Sequence, residues 1–306
     1  MVVNWNDAER SVRCLESVRK SWPEAILVLV DNGSQEDPGP ALGAGPLGVT
    51  LLKLGSNFGY AAGCNAGTGA AIAAGASHVL LLNNDATLEE GSIPALLAAA
   101  GRHPGSIIAP LIVYADRPDR VWSAGGYVNR PFFDNHHHGK GEPVSAHFEE
   151  RRVDWATGCA LFFEAACFRR VGPLDEAYFL YLEDTDWCLR AARVKVETWL
   201  APAAVVRHEV SASVEALPSW QVRYYAHRNH YRLALRHATG WAKPLVLGDA
   251  LWTLFKAGLR SAISAGHRRD GYYHARTRGV ADFLRGRVGP ATVSSVPAAA
   301  AVVANR

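Results

Sequence analysis

Cysteine is scarce in this chain of 306 residues: Cys14, Cys64, Cys159, Cys167 and Cys188 lie far apart, with no CxxC pair among them. That excludes a disulfide framework or a zinc ribbon and fits reduced thiols packed in a core. Long apolar runs are missing too. No stretch reaches the roughly 18 uncharged apolar residues that a membrane span needs, and no basic start followed by an apolar core marks a signal peptide. Charge of one sign is not in excess either, since a net charge of +3 with 20% charged residues points neither to disorder nor to bulk nucleic-acid binding. The glycine series in GSNFGYAAGCNAGTGAA is not the GxGxxG fingerprint, which argues against a dinucleotide site. The expectation is a cytoplasmic protein with no nucleic-acid partner. Its first apolar run, Met1-Val2-Val3 before Asn4, reads as a chain that starts inside its first strand.

What is present is an alternation of apolar runs with helical patterns over the first 110 or so residues, the mark of βα units around a mostly parallel sheet. Strands are expected at 1–4, 25–34, 48–55 and 78–86, and a helix over 7–21 with Val12, Leu15 and Val18 at helical spacing. A further helix is expected over 89–100 and strands near 158–163 and 203–206. Each of the first strands runs into a polar cluster. Ligands of open parallel sheets bind at those carboxyl ends, so Asp31, Asn57 and Asp85 are candidates to share one crevice.

Asp85 ends the run Leu-Leu-Leu-Asn83-Asn84-Asp85. A carboxylate there either helps to hold a hard divalent cation, together with substrate phosphates, or caps the helix that follows. Asp31 in Val-Asp-Asn-Gly-Ser either accepts the N3–H of uracil or thymine, or a ribose hydroxyl, or serves a turn. Gly59, Gly63 and Gly67, four residues apart, line one side of a helix start, near a ligand or against the sheet. The acidic trio Glu183, Asp184 and Asp186 interrupts an aromatic stretch, where coupled and perturbed pKa values suit a general base, although acids also favour helix N-termini. His208 follows a short strand, either as a metal ligand or as a packed histidine. The run His136-His137-His138, flanked by glycines, reads as a mobile loop.

In this order, the segments VVNWND, VDNGS, GSNFGYAAGCNAG, LLLNNDA, ATGCALFF and FLYLEDTDWCLRA resemble family 2 glycosyltransferases of the GT-A fold, on the rhamnosyltransferase and galactofuranosyltransferase-like branch. The likeness covers about residues 1–210. It implies an α/β fold with a doubly wound mixed sheet, and donor binding by Asn4, Asp31, Asn57, Gly59, Asn84 and Asp85. It further implies Mg2+ or Mn2+ on Asp85 and His208, and Trp155 and Gly158 lining the sugar or acceptor pocket. Asp184 matches the catalytic base of an inverting transfer, flanked by Glu183 and Asp186, which orient it or hold acceptor hydroxyls; Arg190 is expected to pair on the same helix. Many members carry more aspartate where Asn83 and Asn84 stand here. The implied partners are a dTDP- or UDP-sugar donor, with the branch favouring dTDP-rhamnose, and a glycan or lipid-linked acceptor in cell-wall or polysaccharide synthesis. The competing readings are a nucleotide-sugar-binding subunit without catalysis, and a sugar nucleotidyltransferase, whose basic glycine-rich loop VVNWNDAERS does not resemble.

The domain division expected is a catalytic domain over 1–215, a basic helical region over 216–290 and an aperiodic tail over 291–306. Residues 1–219 hold 18 Lys and Arg against 26 Asp and Glu, whereas 220–290 hold 13 against 3. One helix there sets Asp249, Thr253, Lys256, Arg260, Ser264 and His267 opposite Leu247, Leu251, Leu254, Phe255 and Ala262. With Trp252, Arg268 and Arg269 it suits either an anionic membrane surface at the inner face of the plasma membrane, or packing on the catalytic domain or on another subunit in a homo-oligomer.

Overall fold

The computed structural model describes residues 1–43, 47–146, 148–210, 219–263 and 271–291. Ser264, His267, Arg268, Arg269 and the tail beyond 291 lie outside the described residues. The chain separates into two compact units, the first made of Met1–Tyr127, His136–Glu176 and Glu183–Val210, the second of Val128–Asn135, Ala177–Leu182 and the chain from 211 onward. The second unit therefore takes in two short segments that sequence reasoning left with the catalytic domain.

The first unit is built on a ten-stranded mixed sheet ordered β10-β12-β6-β11-β4-β1-β2-β3, with β5 added to β12 and β7 to β6. Its parallel half contains β1 (Val2–Asn4), β2 (Leu27–Asp31), β3 (Val49–Lys53) and β4 (His78–Asn83). These are the expected strands, trimmed at their ends. Every residue of β2 is buried, which is why its sequence is a continuous apolar run rather than an alternation. Helix α1 (Ala8–Ser21) starts on Asp7, whose side chain accepts the Arg10 N–H at 3.2 Å, and it buries Ser11, Cys14, Leu15 and Val18. Helix α2 is the single turn Gly39–Leu42.

Helix α3 (Tyr60–Ala73) lies against β1 and β2, and its glycines explain the approach. A Cβ on Gly63 would stand 2.8 Å from a Val3 methyl, and one on Gly67 would stand 2.9 Å from a Val30 methyl. Two of the three spaced glycines are thus packing residues. The third, Gly59, adopts a φ of 92° at the N-cap, a conformation glycine reaches without strain.

The second half of the sheet is where local reading fell short. Helix α4 spans Ser92–Arg102 and is preceded by Gly91 in the left-handed region. Asp85 is therefore no helix cap: it sits in the turn between β4 and the three-residue β5 (Ala86–Leu88). The strand expected at 203–206 is the end of an eleven-residue strand, β12 (Thr198–His208), with an irregularity between Ala201 and Val205. Strand β12 runs parallel to β6 (Ile107–Tyr114) and antiparallel to β5 and to β10 (Arg151–Val153). Strand β11 (Ala160–Glu164) lies antiparallel between β4 and β6, and short β7 (Val121–Ser123) edges β6. Strands β8 (Gly126–Asn129) and β9 (Asp134–His137) pair with each other, so the histidine run belongs largely to a strand, not to a mobile loop. Helices α5 (Ala165–Val171) and α6 (Glu183–Arg193) complete the first unit.

The second unit contains helices α7 (Ser219–His237), α8 (Ala242–Ile263) and α9 (Gly271–Leu284). Helices α7 and α9 touch backbone to backbone, since a Cβ on Gly279 would meet the Tyr224 carbonyl oxygen at 2.5 Å. Buried Asp282 accepts the Tyr224 hydroxyl at 3.0 Å and pairs with Arg278, Arg285 and Arg287. In α8 the buried side carries Ala242, Val246 and Ala250 together with Thr253, and Tyr231 donates its hydroxyl to Asp249 at 2.7 Å and lies 3.2 Å from the Thr253 hydroxyl. Leu247, Leu251 and Phe255 are exposed. The unit also holds the turn Ala177–Leu182, where Phe179, Tyr181 and Leu182 all have φ between 64° and 71°, strained for side-chain-bearing residues. The fully buried Asn229 amide holds that turn, donating to the Tyr178, Leu180 and Tyr181 carbonyls at 2.9, 2.7 and 2.9 Å, and the Arg228 guanidinium adds a bond of 2.8 Å to Tyr178.

Candidate functional site

Strand register brings the site together. The parallel pairs Asn4↔Asp31 and Val3↔Asn83 place the carboxyl ends of β1, β2 and β4 side by side, as the sheet topology predicts for a ligand crevice. On the other flank of β4, the antiparallel ladder sets Ala160 opposite Leu82, and the Asn83 N–H donates to the Cys159 carbonyl at 2.9 Å. Gly158 thus arrives beside the Asn84-Asp85 turn. Strand β5 does the same for His208, which pairs with Ala86, while the Glu209 N–H donates to the Asp85 carbonyl at 2.9 Å.

Asp85 and His208 are both buried, and His208 Nε2 lies 3.2 Å from Asp85 Oδ1. Neither ring nitrogen of His208 makes a hydrogen bond, an unusual state for a buried imidazole. The Trp122 ring meets the His208 ring edge-on at 4.5 Å. A buried carboxylate and imidazole set 3.2 Å apart in this way fit a divalent cation. Among the described residues no group of three or more His, Cys, Asp or Glu could hold one, so such an ion would take its other ligands from a diphosphate and water, as Mg2+ commonly does.

The acidic trio divides by role. Asp184, in the first turn of α6, accepts the Gly158 N–H at 2.7 Å on one oxygen, and the Thr185 N–H at 2.6 Å with the Thr185 hydroxyl at 3.2 Å on the other. Burial raises its pKa, and these hydrogen bonds oppose the rise. Glu183 is buried, its Oε2 has no hydrogen bond, and burial, then the neighbouring Asp184, pushes its pKa up to about 8. Asp186 does not meet the expectation of an acceptor contact: its fully buried carboxylate pairs with Arg190 at 2.8 Å, one turn on. Arg190 is the expected partner on the same helix, and it also ties the Val171 and Pro173 carbonyls.

Cys159 links the two halves of the site. Its carbonyl accepts the Asn83 N–H, the neighbouring Gly158 N–H donates to Asp184, and burial, then the charge of Asp85, pushes its thiol well above the usual range. A Cβ on Gly158 would stand 3.1 Å from the Tyr60 ring and 3.5 Å from Asp184, which explains a small residue there.

The nucleotide-side residues form a connected set. Asn4 donates to Asp31 at 3.1 Å and to the Ser34 hydroxyl at 3.0 Å, and Ser34 donates back to Asp31. Asn57 caps the Gly59 N–H at 2.9 Å and accepts from Asn32 at 3.2 Å. Asn84 is half-buried in its turn. Trp155 is only 2% exposed: it lies in the core against Gly126, where a Cβ would come within 2.1 Å of the indole, and so does not offer the open face expected of a pocket wall.

Sequence reasoning missed four residues. Ser34 and Asn32 brace Asp31 and Asn57, and both stand in the quoted VDNGS segment. Tyr60, next to Gly59, donates its hydroxyl to the Gly158 carbonyl at 2.7 Å, joining the nucleotide side to the base. His137, alternating inward along β9, hydrogen-bonds Ser123 at 2.8 Å between the rings of Trp122 and Trp155, and burial pushes its pKa down to about 4. His136 and His138 instead flank Tyr127.

Comparison with known proteins agrees with this geometry. The family model for glycosyl transferase family 2 matches residues 1–166. The chain is 29% identical over 279 residues to the N-acetylglucosaminyl-diphospho-decaprenol L-rhamnosyltransferase of Mycobacterium tuberculosis, covering 83% of this chain and 88% of that protein. A shorter stretch of 61 residues is 34% identical to the rhamnosyltransferase WbbL of Escherichia coli K12, covering 20% of this chain and 23% of that one. Among solved structures, GalNAc-T7 with UDP, GalNAc and Mn2+ superposes with a TM-score of 0.57 at 15% identity, over 81% of this chain and 53% of that chain; this chain spans about half of it. The 1–349 fragment of S. aureus TarS gives a TM-score of 0.51 at 14% identity, over 94% and 90%. These likenesses establish the GT-A fold.

Proposed function

Because the chain belongs to glycosyl transferase family 2, we propose that it moves a sugar from a nucleotide-diphosphate donor to an acceptor hydroxyl with inversion, Asp184 acting as the base. The observation that carries this reading is the placement of Asp184: a buried carboxylate of raised pKa, fixed by Gly158 and Thr185, where Gly158 adjoins the Cys159 carbonyl that accepts the Asn83 N–H at the end of β4. A base of this kind works best with its pKa moved toward the working pH.

In the transfer, Asp184 takes the proton of the acceptor hydroxyl as that oxygen bonds to the anomeric carbon, and the bond from that carbon to the diphosphate breaks on the opposite face. Asp85 and His208 would hold a Mg2+ or Mn2+ ion, which supplies charge neutralisation to the diphosphate leaving group. Asp31, braced by Asn4 and Ser34, receives the N3–H edge of uracil or thymine or a ribose hydroxyl. Asn57 and Gly59 border the nucleotide, and neutral Glu183 limits the negative charge beside the base. The sugar we favour is L-rhamnose and the acceptor a lipid-linked glycan, both carried over from the printed name of the M. tuberculosis relative.

The test is release of nucleoside diphosphate from dTDP-, UDP- and GDP-sugars with Mn2+, with Mg2+ and with EDTA, followed by proton NMR of the product. EDTA-sensitive turnover of dTDP-rhamnose with an inverted anomeric centre is expected. A product that retains the donor configuration would overturn the single-displacement mechanism.

A further inference from the structure

One face of α8 is exposed and apolar from Leu245 to Leu259. Trp241 stands just before the helix and is 72% exposed, and Leu245, Trp252, Phe255 and Leu259 follow at intervals of four, seven, three and four residues, 45% to 60% exposed. At 3.6 residues per turn these positions share one stripe, and exposed Leu247 and Leu251 widen it on one side. No polar side chain interrupts the stripe. The opposite side of the helix is the buried one, carrying Ala242, Val246, Ala250 and Thr253, so the stripe is not a core face turned the wrong way. A contiguous apolar surface of this kind marks an interaction site.

Charge and side-chain type identify the partner. Lys256 and Arg260 border the stripe on the side away from Leu247 and Leu251; Lys256 Nζ lies 5.5 Å from the Trp252 ring centre, and that ring stacks on Phe255 at 5.4 Å. Residues 220–290 carry 13 basic against 3 acidic side chains. Tryptophan and phenylalanine along an apolar stripe with a basic border is the chemistry of a helix that lies in a membrane–water interface facing anionic headgroups. Among the described residues no helix is long and apolar enough to cross a membrane, so the helix would lie in the plane of the surface.

We propose that α8 docks this chain on an anionic lipid leaflet, with Trp241, Leu245, Trp252, Phe255 and Leu259 in the headgroup and upper acyl region and Lys256 and Arg260 against lipid phosphates. The proposal stands on α8 alone and is independent of the transfer chemistry assigned to the first unit.

The experiment is flotation of the full chain with vesicles of phosphatidylcholine alone or mixed with phosphatidylglycerol, beside Trp252→Ser/Phe255→Ser and Lys256→Gln/Arg260→Gln. Wild type floats with the mixed vesicles and its tryptophan emission shifts to the blue. The aromatic double variant stays at the bottom, with an unchanged thermal midpoint because both side chains are exposed. The charge variant partitions about 30-fold more weakly, at about 1 kcal/mol for each basic residue near an anionic surface. Wild type that stays at the bottom with both vesicles, or aromatic variants that float as well as wild type, would overturn the proposal. So would a wild-type dimer that the aromatic variant makes monomeric while neither binds vesicles, since the stripe would then be covered by a second copy.

Discussion

Replacing Glu183 by glutamine tests the electrostatics of the site without touching the base. Glu183 is 4% exposed, one of its oxygens has no hydrogen bond, and its pKa rises from an ordinary 4.5 to about 8. Between those two pH values the folded protein keeps a proton that the unfolded chain releases, so stability falls as pH rises, by about 1.4 kcal/mol per pH unit for one proton. Below pH 4.5 the contribution is fully present, and it is lost on passing through the folded value. Asp184, whose pKa burial also raises, adds a slope of the same sign. Glutamine occupies the space without titrating. Urea unfolding of wild type and Glu183→Gln, followed by tryptophan fluorescence from pH 5.5 to pH 7.5, is then expected to show the variant gaining on wild type by about 3 kcal/mol across the interval. Parallel stability curves, or a wild type that gains on the variant as pH rises, would refute the claim that Glu183 is held neutral.

Other consequences follow from the same packing and hydrogen bonds. His208→Ala is expected to raise the Mn2+ concentration for half-maximal activity at least about tenfold, judged from what even outer contacts of a metal site are worth, read from a metal titration of donor turnover. Gly63→Ala places a methyl 2.8 Å from a Val3 methyl on a stiff β-branched side chain and is expected to cost about 1–3 kcal/mol, measured by urea unfolding. Asn229→Ala removes three buried hydrogen bonds from a turn with three left-handed residues, leaving the Arg228 bond to Tyr178. A loss of about 2–3 kcal/mol is expected, seen as a lower thermal midpoint.

The sequence made the parallel half of the sheet legible because β2 and β4 are apolar runs that end in polar clusters, so Asp31 and Asp85 could be placed at strand ends before any coordinates. It did not show what Asp85 does next. Strand β5 is three residues long and exists by pairing with β12, more than a hundred residues away, and no local pattern carries such a pairing. The same pairing explains why His208 stands beside Asp85 rather than at the end of an isolated strand. Arg190 and Asp186 could be read as an i, i+4 pair, yet only burial shows that the pair takes Asp186 out of reach of a substrate. Trp155, which the family resemblance placed in the sugar or acceptor pocket, is buried with Gly126 pressed against its ring. In α8 periodicity identified an apolar face, but which face packs depends on Tyr231, an interaction between helices that helical spacing alone does not encode.

The assignment of Asp184 as base is tested most directly by comparing wild type with Asp184→Asn in nucleoside diphosphate release, while donor binding is followed by thermal shift. Asparagine keeps the shape and one acceptor oxygen but cannot take a proton. The account predicts that kcat falls by about 10²- to 10⁴-fold, the range of a lost general base, with the donor-induced shift retained. Turnover by Asp184→Asn within a few-fold of wild type would contradict it.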